Sequence, residues 1–317
     1  MKFVITGSIA FDYLMSFPGR FRDHILPDQL DRISLSFLVD TMVRRSGGVA
    51  TNIAYTMALL GESPLVMATV GKDFGEYGEW LEERGVDTSA IQIIPDLFTA
   101  SFFVNTDSMN AQIASFYTGA MARASDLHFS DLSSKPDLAV ISPNDPQAMQ
   151  QYVQECDQLD IDYFYDPSQQ IVRLETEVLK EGIIGCRALF ANDYELALIQ
   201  ERTGLDCESI LNHAAFIVIT LGEEGVDVWT KEGCSHTPAV PPERIKDPTG
   251  AGDAFRGGFF TGYLNDFPLE RCAQMGVLAS TYSLEYEGPQ GHSYDLPTFT
   301  QRFREHFDDD GDLDQLG

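Results

Sequence analysis

The 317-residue sequence predicts an α/β fold: a mostly parallel central sheet covered by helices on both faces, with a small second sheet standing off it. Two observations carry that expectation. Beyond residue 138, short apolar runs alternate with helix-like segments, and each run ends in polar or glycine residues. Such alternation implies right-handed crossovers and parallel strands. Between residues 13 and 45, and again between 98 and 121, the rhythm breaks into strand-like runs with no helices between them. The expected division is a core of residues 1–12, 46–97 and 122–317, and a separate β unit of residues 13–45 and 98–121.

Phe3–Thr6 reads as the first strand, ending at Gly7-Ser8 with Asp12 just beyond. Open α/β sheets place ligands at such carboxyl edges. Ser34–Val39 is strand-like, and Pro18-Gly19 and Pro27-Asp28 punctuate turns before it. Gly47 and Gly48 lead into an apolar helix, Ile53–Leu60, closed by Gly61. The two glycines let a ligand approach the backbone, and Asn52 offers a donor and an acceptor to a pair of hydroxyls. Thr99–Thr106 and Gln112–Tyr117 are two strands joined by the polar Asp107–Asn110. Their Phe102 and Phe116 either pack within the small sheet or flank a flat ligand. The strand Leu138–Ser142 precedes the helix Pro146–Leu159. Tyr163–Asp166 then runs into Gln169-Gln170 and Arg173, Ala188–Ala191 into Asn192–Glu195, and Phe216–Thr220 into Leu221–Val226. The acidic tail Asp308–Gly317 reads as disordered.

A formal net charge of -28 argues against a nucleic-acid partner, which would require clustered Lys and Arg. The five cysteines are odd in number and lack C-x-x-C spacing, which points to a reducing cytoplasm. No signal peptide and no apolar run of about 18 residues is present, so a soluble intracellular protein without membrane contact is expected.

Chemistry concentrates in Asp247-Pro-Thr-Gly-Ala-Gly-Asp253, followed by an apolar helical run to Phe259. Glycines before a helix let successive N–H groups face one concavity, and the helix dipole favours an anion there. Gly250, Ala251 and Gly252 thus suit a phosphoryl group in transfer, and Asp253 at the rim suits a proton acceptor for the attacking hydroxyl. A plain glycine turn with an Asp cap fits the same letters. No G-x-x-x-x-G-K-[ST] occurs, and Phe255 stands where a dinucleotide fingerprint needs its third glycine. Asn192 and Glu195 either order waters around Mg²⁺ or form a capping box. Arg173 either bridges phosphate oxygens or pairs with Glu175 or Glu177. Gln169 and Gln170 either read a base edge or cap a strand.

The Asp247–Asp253 stretch closely resembles the second signature of the ribokinase-like (PfkB) carbohydrate and nucleoside kinases, D-[TP]-T-G-A-G-D. Gly47-Gly48-Val-Ala-Thr-Asn52 resembles the first, G-G-x-[AG]-x-N, and Thr220-Leu-Gly222-Glu-Glu-Gly225 resembles T-x-G-x-x-G. Gly7–Asp12, Ser34–Val39, Gln112–Tyr117, Asn144–Pro146, Asp166–Gln170 and Asp253–Arg256 look like the prokaryotic adenosine kinases within that family. The resemblance implies a three-layer sandwich whose small sheet is a lid and a homodimer contact. It implies transfer of the ATP γ-phosphate to the 5′-hydroxyl of adenosine, giving AMP and ADP in purine salvage, with Mg²⁺. By the same resemblance Asp253 is the base and Gly250–Gly252 the anion hole, with Arg173 beside it. Ser8, Asp12, Gly47, Gly48 and Asn52 hold the ribose, and Phe102 and Phe116 flank adenine with Gln169 and Gln170. Asn192, Thr220, Gly222 and Gly225 line the nucleotide, and Asn192 and Glu195 serve Mg²⁺ through water. Ser36 reaches a neighbouring subunit's site, and Asp247 and Thr249 match positions that hold a monovalent cation such as K⁺ in several relatives. The rival readings are a sugar kinase of the same fold, with ribose or a fructose phosphate as acceptor, and a nucleoside binder without catalysis.

Overall fold

The computed structural model describes residues 1–316, apart from the side chains of Pro27 and Leu30. The first half of the chain contains β1 (Phe3–Thr6), β2 (Ala10–Ser16), β3 (Thr41–Gly47), α1 (Val49–Leu59), β4 (Leu65–Gly71), α2 (Gly75–Glu82), β5 (Ile91–Ile94), β6 (Ala100–Thr106) and β7 (Gln112–Tyr117). Next come β8 (Leu138–Ile141), α3 (Pro146–Leu159), β9 (Asp162–Tyr165), α4 (Thr176–Gly185), β10 (Ala188–Asn192), α5 (Asp193–Thr203), α6 (Cys207–Leu211) and β11 (Phe216–Thr220). The chain continues through β12 (Val226–Thr230), β13 (Gly233–Thr237), α7 (Ala251–Leu264), α8 (Leu269–Leu284) and α9 (Leu296–Arg304).

Nine strands form the main sheet in the order β13-β12-β11-β10-β9-β8-β1-β4-β5. Pairing is parallel from β11 to β5, and β12 and β13 extend one edge antiparallel. Successive side chains on a strand point to opposite faces. Phe216 and Val218 therefore join one apolar layer, with Phe259 and Phe260 of α7 and Leu278 of α8. Ile217 and Ile219 join the other, with Met149 of α3, Ile183 of α4 and Ile199 of α5. Both faces are covered, as continuous apolar parallel strands require. α3 begins where Asp145 Oδ1 accepts from the N–H groups of Gln147 and Ala148, at 3.0 and 3.3 Å.

β3, β2, β6 and β7, in that order, make the small sheet. Register pairs Arg45 with Asp12, Asp12 with Phe102, and Phe102 with Phe116. Directly paired residues project from the same face. One row of side chains thus crosses all four strands, with a cation at one end and two aromatic rings at the other.

Two expectations need correction. Ser34–Val39 is not a strand: it forms no ladder with a neighbour among the described residues, and Phe37 packs against Phe17 and Phe21. The true edge strand starts at Thr41, where a β2 partner is available. The acidic tail is docked rather than disordered. Asp309 and Asp314 pair with Arg304, Asp312 pairs with Arg271, and Leu313 is buried in the core. These arginines supply the counter-charge that a count of acids along the tail does not reveal. No helix among the described residues is long and apolar enough to cross a membrane.

Candidate active site

α7 starts one residue after Gly250, whose φ of 83° and ψ of 0° lie in the left-handed region. A Cβ there would stand 2.4 Å from Pro289 Cβ, so both backbone angle and space demand glycine. The Ala251 N–H turns back to the Pro248 carbonyl at 3.3 Å. Gly252 and Asp253 supply the remaining first-turn donors of the helix, where its dipole favours negative charge.

Asp253 stands on that first turn. Its Oδ2 accepts from Asn52 Nδ2 at 2.7 Å, joining α7 to α1. Asn52 Oδ1 accepts in turn from Gln290 Nε2 at 3.0 Å, and the same nitrogen reaches the Tyr77 hydroxyl at 2.6 Å. Asn52 thus positions the carboxylate with one N–H and one lone pair of its amide, and the second N–H and second lone pair remain on a residue that lines the cavity at the sheet's carboxyl edge. Burial raises the Asp253 carboxyl from 3.8 to about 6, against the Asn52 hydrogen bond and the Arg256 charge, which lower it. The carboxylate remains mostly ionised at neutral pH.

Arg256 lies one turn further along α7, almost fully buried. Its Nη1 donates to the Gly252 carbonyl at 3.1 Å, and its Nη2 and Nε form a two-pronged pair with Asp166 at the end of β9, the first at 2.8 Å. A guanidinium matches a carboxylate in this bidentate way. The anion turn is thereby tied to the strand end that carries Gln169 and Gln170.

Between the small sheet and the carboxyl edge lies a cavity of about 780 Å³. The Arg45–Asp12–Phe102–Phe116 row forms one wall. Ser8, Gly48 and Asn52 meet it from β1 and α1, and Gln169, Gln170 and Arg173 from the segment after β9. Gly47, at the end of β3, accepts from the Tyr77 hydroxyl at 3.3 Å. Gln170 is buried, and its Oε1 has no donor among the described residues. Arg173 is exposed and has no carboxylate within salt-bridge distance among the described residues, so Glu175 and Glu177 do not claim it. Ser36 sits on the exposed segment before β3 and does not line the cavity.

Asn192, Glu195 and Thr220 gather further along the same edge, outside that cavity, with Asn192 and Thr220 directly paired across β10 and β11. The capping box is present: Asn192 Oδ1 accepts from the Glu195 N–H at 2.7 Å, and Glu195 Oε2 accepts from the Asn192 N–H at 2.8 Å. Glu195 Oε1 accepts from the Ser168 hydroxyl at 2.9 Å. Gly225 closes the turn into β12, where a Cβ would meet the Thr237 carbonyl at 2.1 Å, whereas Gly222 opens onto free space. No cluster of three or more His, Cys, Asp or Glu suited to a metal occurs among the described residues. One carboxylate beside one amide fits a Mg²⁺ that keeps most of its waters and arrives with a triphosphate.

The Asp247 carboxylate has its donors already. Oδ1 accepts from the Thr249 N–H at 3.0 Å, and Oδ2 accepts from Arg45 Nη1 at 2.6 Å and the Gly288 N–H at 3.0 Å. Burial would raise this carboxyl, but the bonds from Thr249, Gly288 and Arg45 together hold it below the usual range. With the Arg45 guanidinium on Oδ2, the positive charge that an alkali ion would bring to Asp247 is already present.

Arg45, Asp166, Arg256 and Gln290 were given no role in the sequence reading. Arg256, three residues after Asp253, was findable as its neighbour on the helix face. Nothing local marks Arg45 or Gln290, which act across 202 and 238 residues of chain.

A strand-edge cavity lined by Asn52, Asp247 and Thr249, beside the half-buried Asp253 that Asn52 holds, accords with an ATP-dependent kinase acting on a hydroxyl group, although Gly250–Asp253 themselves do not line it. The chain belongs to the pfkB family of carbohydrate kinases, whose family profile matches residues 18–295. It is similar to the solved structure of Burkholderia thailandensis nucleoside kinase in complex with inosine, with a TM-score of 0.85 and 34% identity, covering 96% of this chain and 98% of that one. The ADP-inosine complex of the same enzyme matches with a TM-score of 0.83 and 35% identity, covering 96% of each chain. The nucleoside kinase of Methanothermobacter thermautotrophicus is 29% identical over 301 residues, 94% of both chains. The architecture is accordingly ribokinase-like.

Proposed function

We propose that this protein is a nucleoside kinase whose preferred acceptor is the 5′-hydroxyl of adenosine. The observation that carries the reading is the row across the small sheet. It offers two aromatic rings for a base, Asp12 for a ribose and a cation toward the phosphate end, all facing one cavity whose Asn52 is bonded to Asp253. Base–aromatic stacking contributes about 1–3 kcal/mol per base. The unpartnered Gln170 Oε1 calls for a donor, which the exocyclic amine of adenine supplies; cytosine and guanine carry such an amine as well, so the choice of adenosine rests on the resemblance to adenosine kinases. The nucleoside names of the relatives support the substrate class.

In the reaction, the 5′-oxygen forms a bond to the γ-phosphorus as the bond to the ADP oxygen breaks, and the hydroxyl proton passes to Asp253. Asn52 and Gln290 aim that carboxylate. The first-turn amides of α7 and Arg173 take up charge on the transferring group. Asn192 and Glu195 are the residues that would hold, through water, a Mg²⁺ arriving with the triphosphate, which would supply counter-charge to the phosphate. Thr220 and Gly222 line the nucleotide beside them. The small sheet serves as a lid that excludes water. Its exposed Leu38, Met42 and Val43 suit a homodimer contact, through which Ser36 meets the partner's cavity. Five free cysteines suit a reducing cytoplasm.

The test is ADP release with ATP and a panel of adenosine, inosine, guanosine, cytidine, ribose and fructose 6-phosphate. Adenosine should give the highest kcat/KM and the sugars almost none. A sugar matching adenosine would overturn the nucleoside reading.

A further inference from the structure

We infer that Arg45 is a built-in counter-ion that takes the place of an alkali cation beside the anion-binding turn, so that this kinase works without K⁺. Two carboxylates bind its guanidinium and a third stands beside it without a direct bond. Asp247 lies at 2.6 Å, Glu287 at 3.2 Å, and Asp12 is its directly paired neighbour on β2. The side chain is only 24% exposed and lies over Gly288, where a Cβ would stand 3.2 Å from Arg45 Cδ. The absence of a side chain at Gly288 makes the berth.

Asp247 opens the turn that ends at Asp253, and its two oxygens pin the N–H groups of Thr249 and Gly288. The next residue, Pro289, packs on Gly250, and Gln290 reaches Asn52. A positive charge at Asp247 Oδ2 therefore braces both loops that position the base. Arg45 delivers that charge from the small sheet with fixed geometry, and a guanidinium cannot lose its proton at working pH. Asp12 responds to the same cluster: burial raises its carboxyl, Arg45 lowers it and Asp247 raises it. Without Arg45, three neighbouring carboxylates would lack a counter-charge where a triphosphate must also approach. Oxygen-rich, cation-poor surroundings of that kind bind hard metal ions.

The inference rests on the kinase reading for its kinetic arm only. Wild type, Arg45→Lys and Arg45→Ala are compared in choline, sodium and potassium chloride at one ionic strength, by kcat/KM and by thermal melting without substrates. Wild type should give the same rate and melting temperature in all three salts, and Arg45→Lys, whatever its own rate, should likewise be indifferent to the alkali ion. Arg45→Ala should lose about tenfold or more in kcat/KM in choline chloride, recover in potassium chloride, and melt higher with K⁺ than with choline. Wild type stimulated by K⁺, or an alanine variant blind to alkali ions in both readouts, would overturn the inference. Should Arg45→Ala not fold, Arg45→Gln serves the same comparison, and the wild-type salt series decides on its own. A K⁺-dependent melting shift in a protein that phosphorylates no nucleoside would sink the functional reading and leave this one standing.

Discussion

Replacing Asp253 by asparagine should make the protein more stable and nearly inactive. The folded carboxyl binds its proton more tightly than the unfolded one, since burial raises it from 3.8 to about 6. Ionising it therefore costs the folded state. The penalty is absent below about pH 4, grows as pH rises through about 6, and is complete above that. Each tenfold in a proton equilibrium is worth about 1.36 kcal/mol, so the difference from 3.8 to about 6 amounts to about 3 kcal/mol at most. Water reaches part of this residue, which reduces the expected gain to about 1–3 kcal/mol. Asparagine keeps an oxygen to accept from Asn52, so no hydrogen bond offsets the gain. Denaturant unfolding at pH 8 and pH 4 measures it: the variant should lead wild type at pH 8 and lose its lead at pH 4. Turnover should drop about 10²-fold or more, because the proton acceptor is gone. Wild-type kcat/KM should decline as pH falls below about 6, as protonation removes the base. An equal stability difference at both pH values, or near-wild-type turnover in the variant, would refute the assignment.

Three further outcomes are expected. Phe102→Ala should weaken adenosine by about 1–3 kcal/mol in calorimetric titration while leaving a sugar acceptor unaffected. Arg256→Met should cost about 3–5 kcal/mol of stability because it strands the buried Asp166, and adding Asp166→Leu should return much of that loss in the melting curve without restoring turnover. Gln290→Ala should lower kcat about 3- to 10-fold with little change in KM, since Asn52 loses the partner that aims it at Asp253.

The readable parts of this chain are those whose structure is decided locally. α3 runs from Pro146 to Leu159 as the sequence implies, because Asp145 caps it and Pro146 suits a first turn. The strand ends carrying Gln169, Asn192 and Thr220 were equally legible, since apolar runs stop there. At Asn192 and Glu195 the capping-box reading is the one the structure displays, because both partners lie on the first turn of α5. The edge strand of the small sheet was misplaced by several residues. Ser34–Val39 has the better strand composition, but Thr41–Gly47 has the partner. The network behind Asp253 was invisible for a different reason: Asn52, Gln290 and Asp166 reach it from remote parts of the chain, and no periodicity connects them.

The alignment of Arg45, Asp12, Phe102 and Phe116 makes the small sheet a measuring stick, with graduations set by strand spacing and about 14 Å between its ends. A single-residue insertion in β2 would turn Asp12 outward and break the sequence of marks at its centre. Changes of acceptor in such a protein are thus confined to swapping letters on the stick, because its length is woven into the pleat.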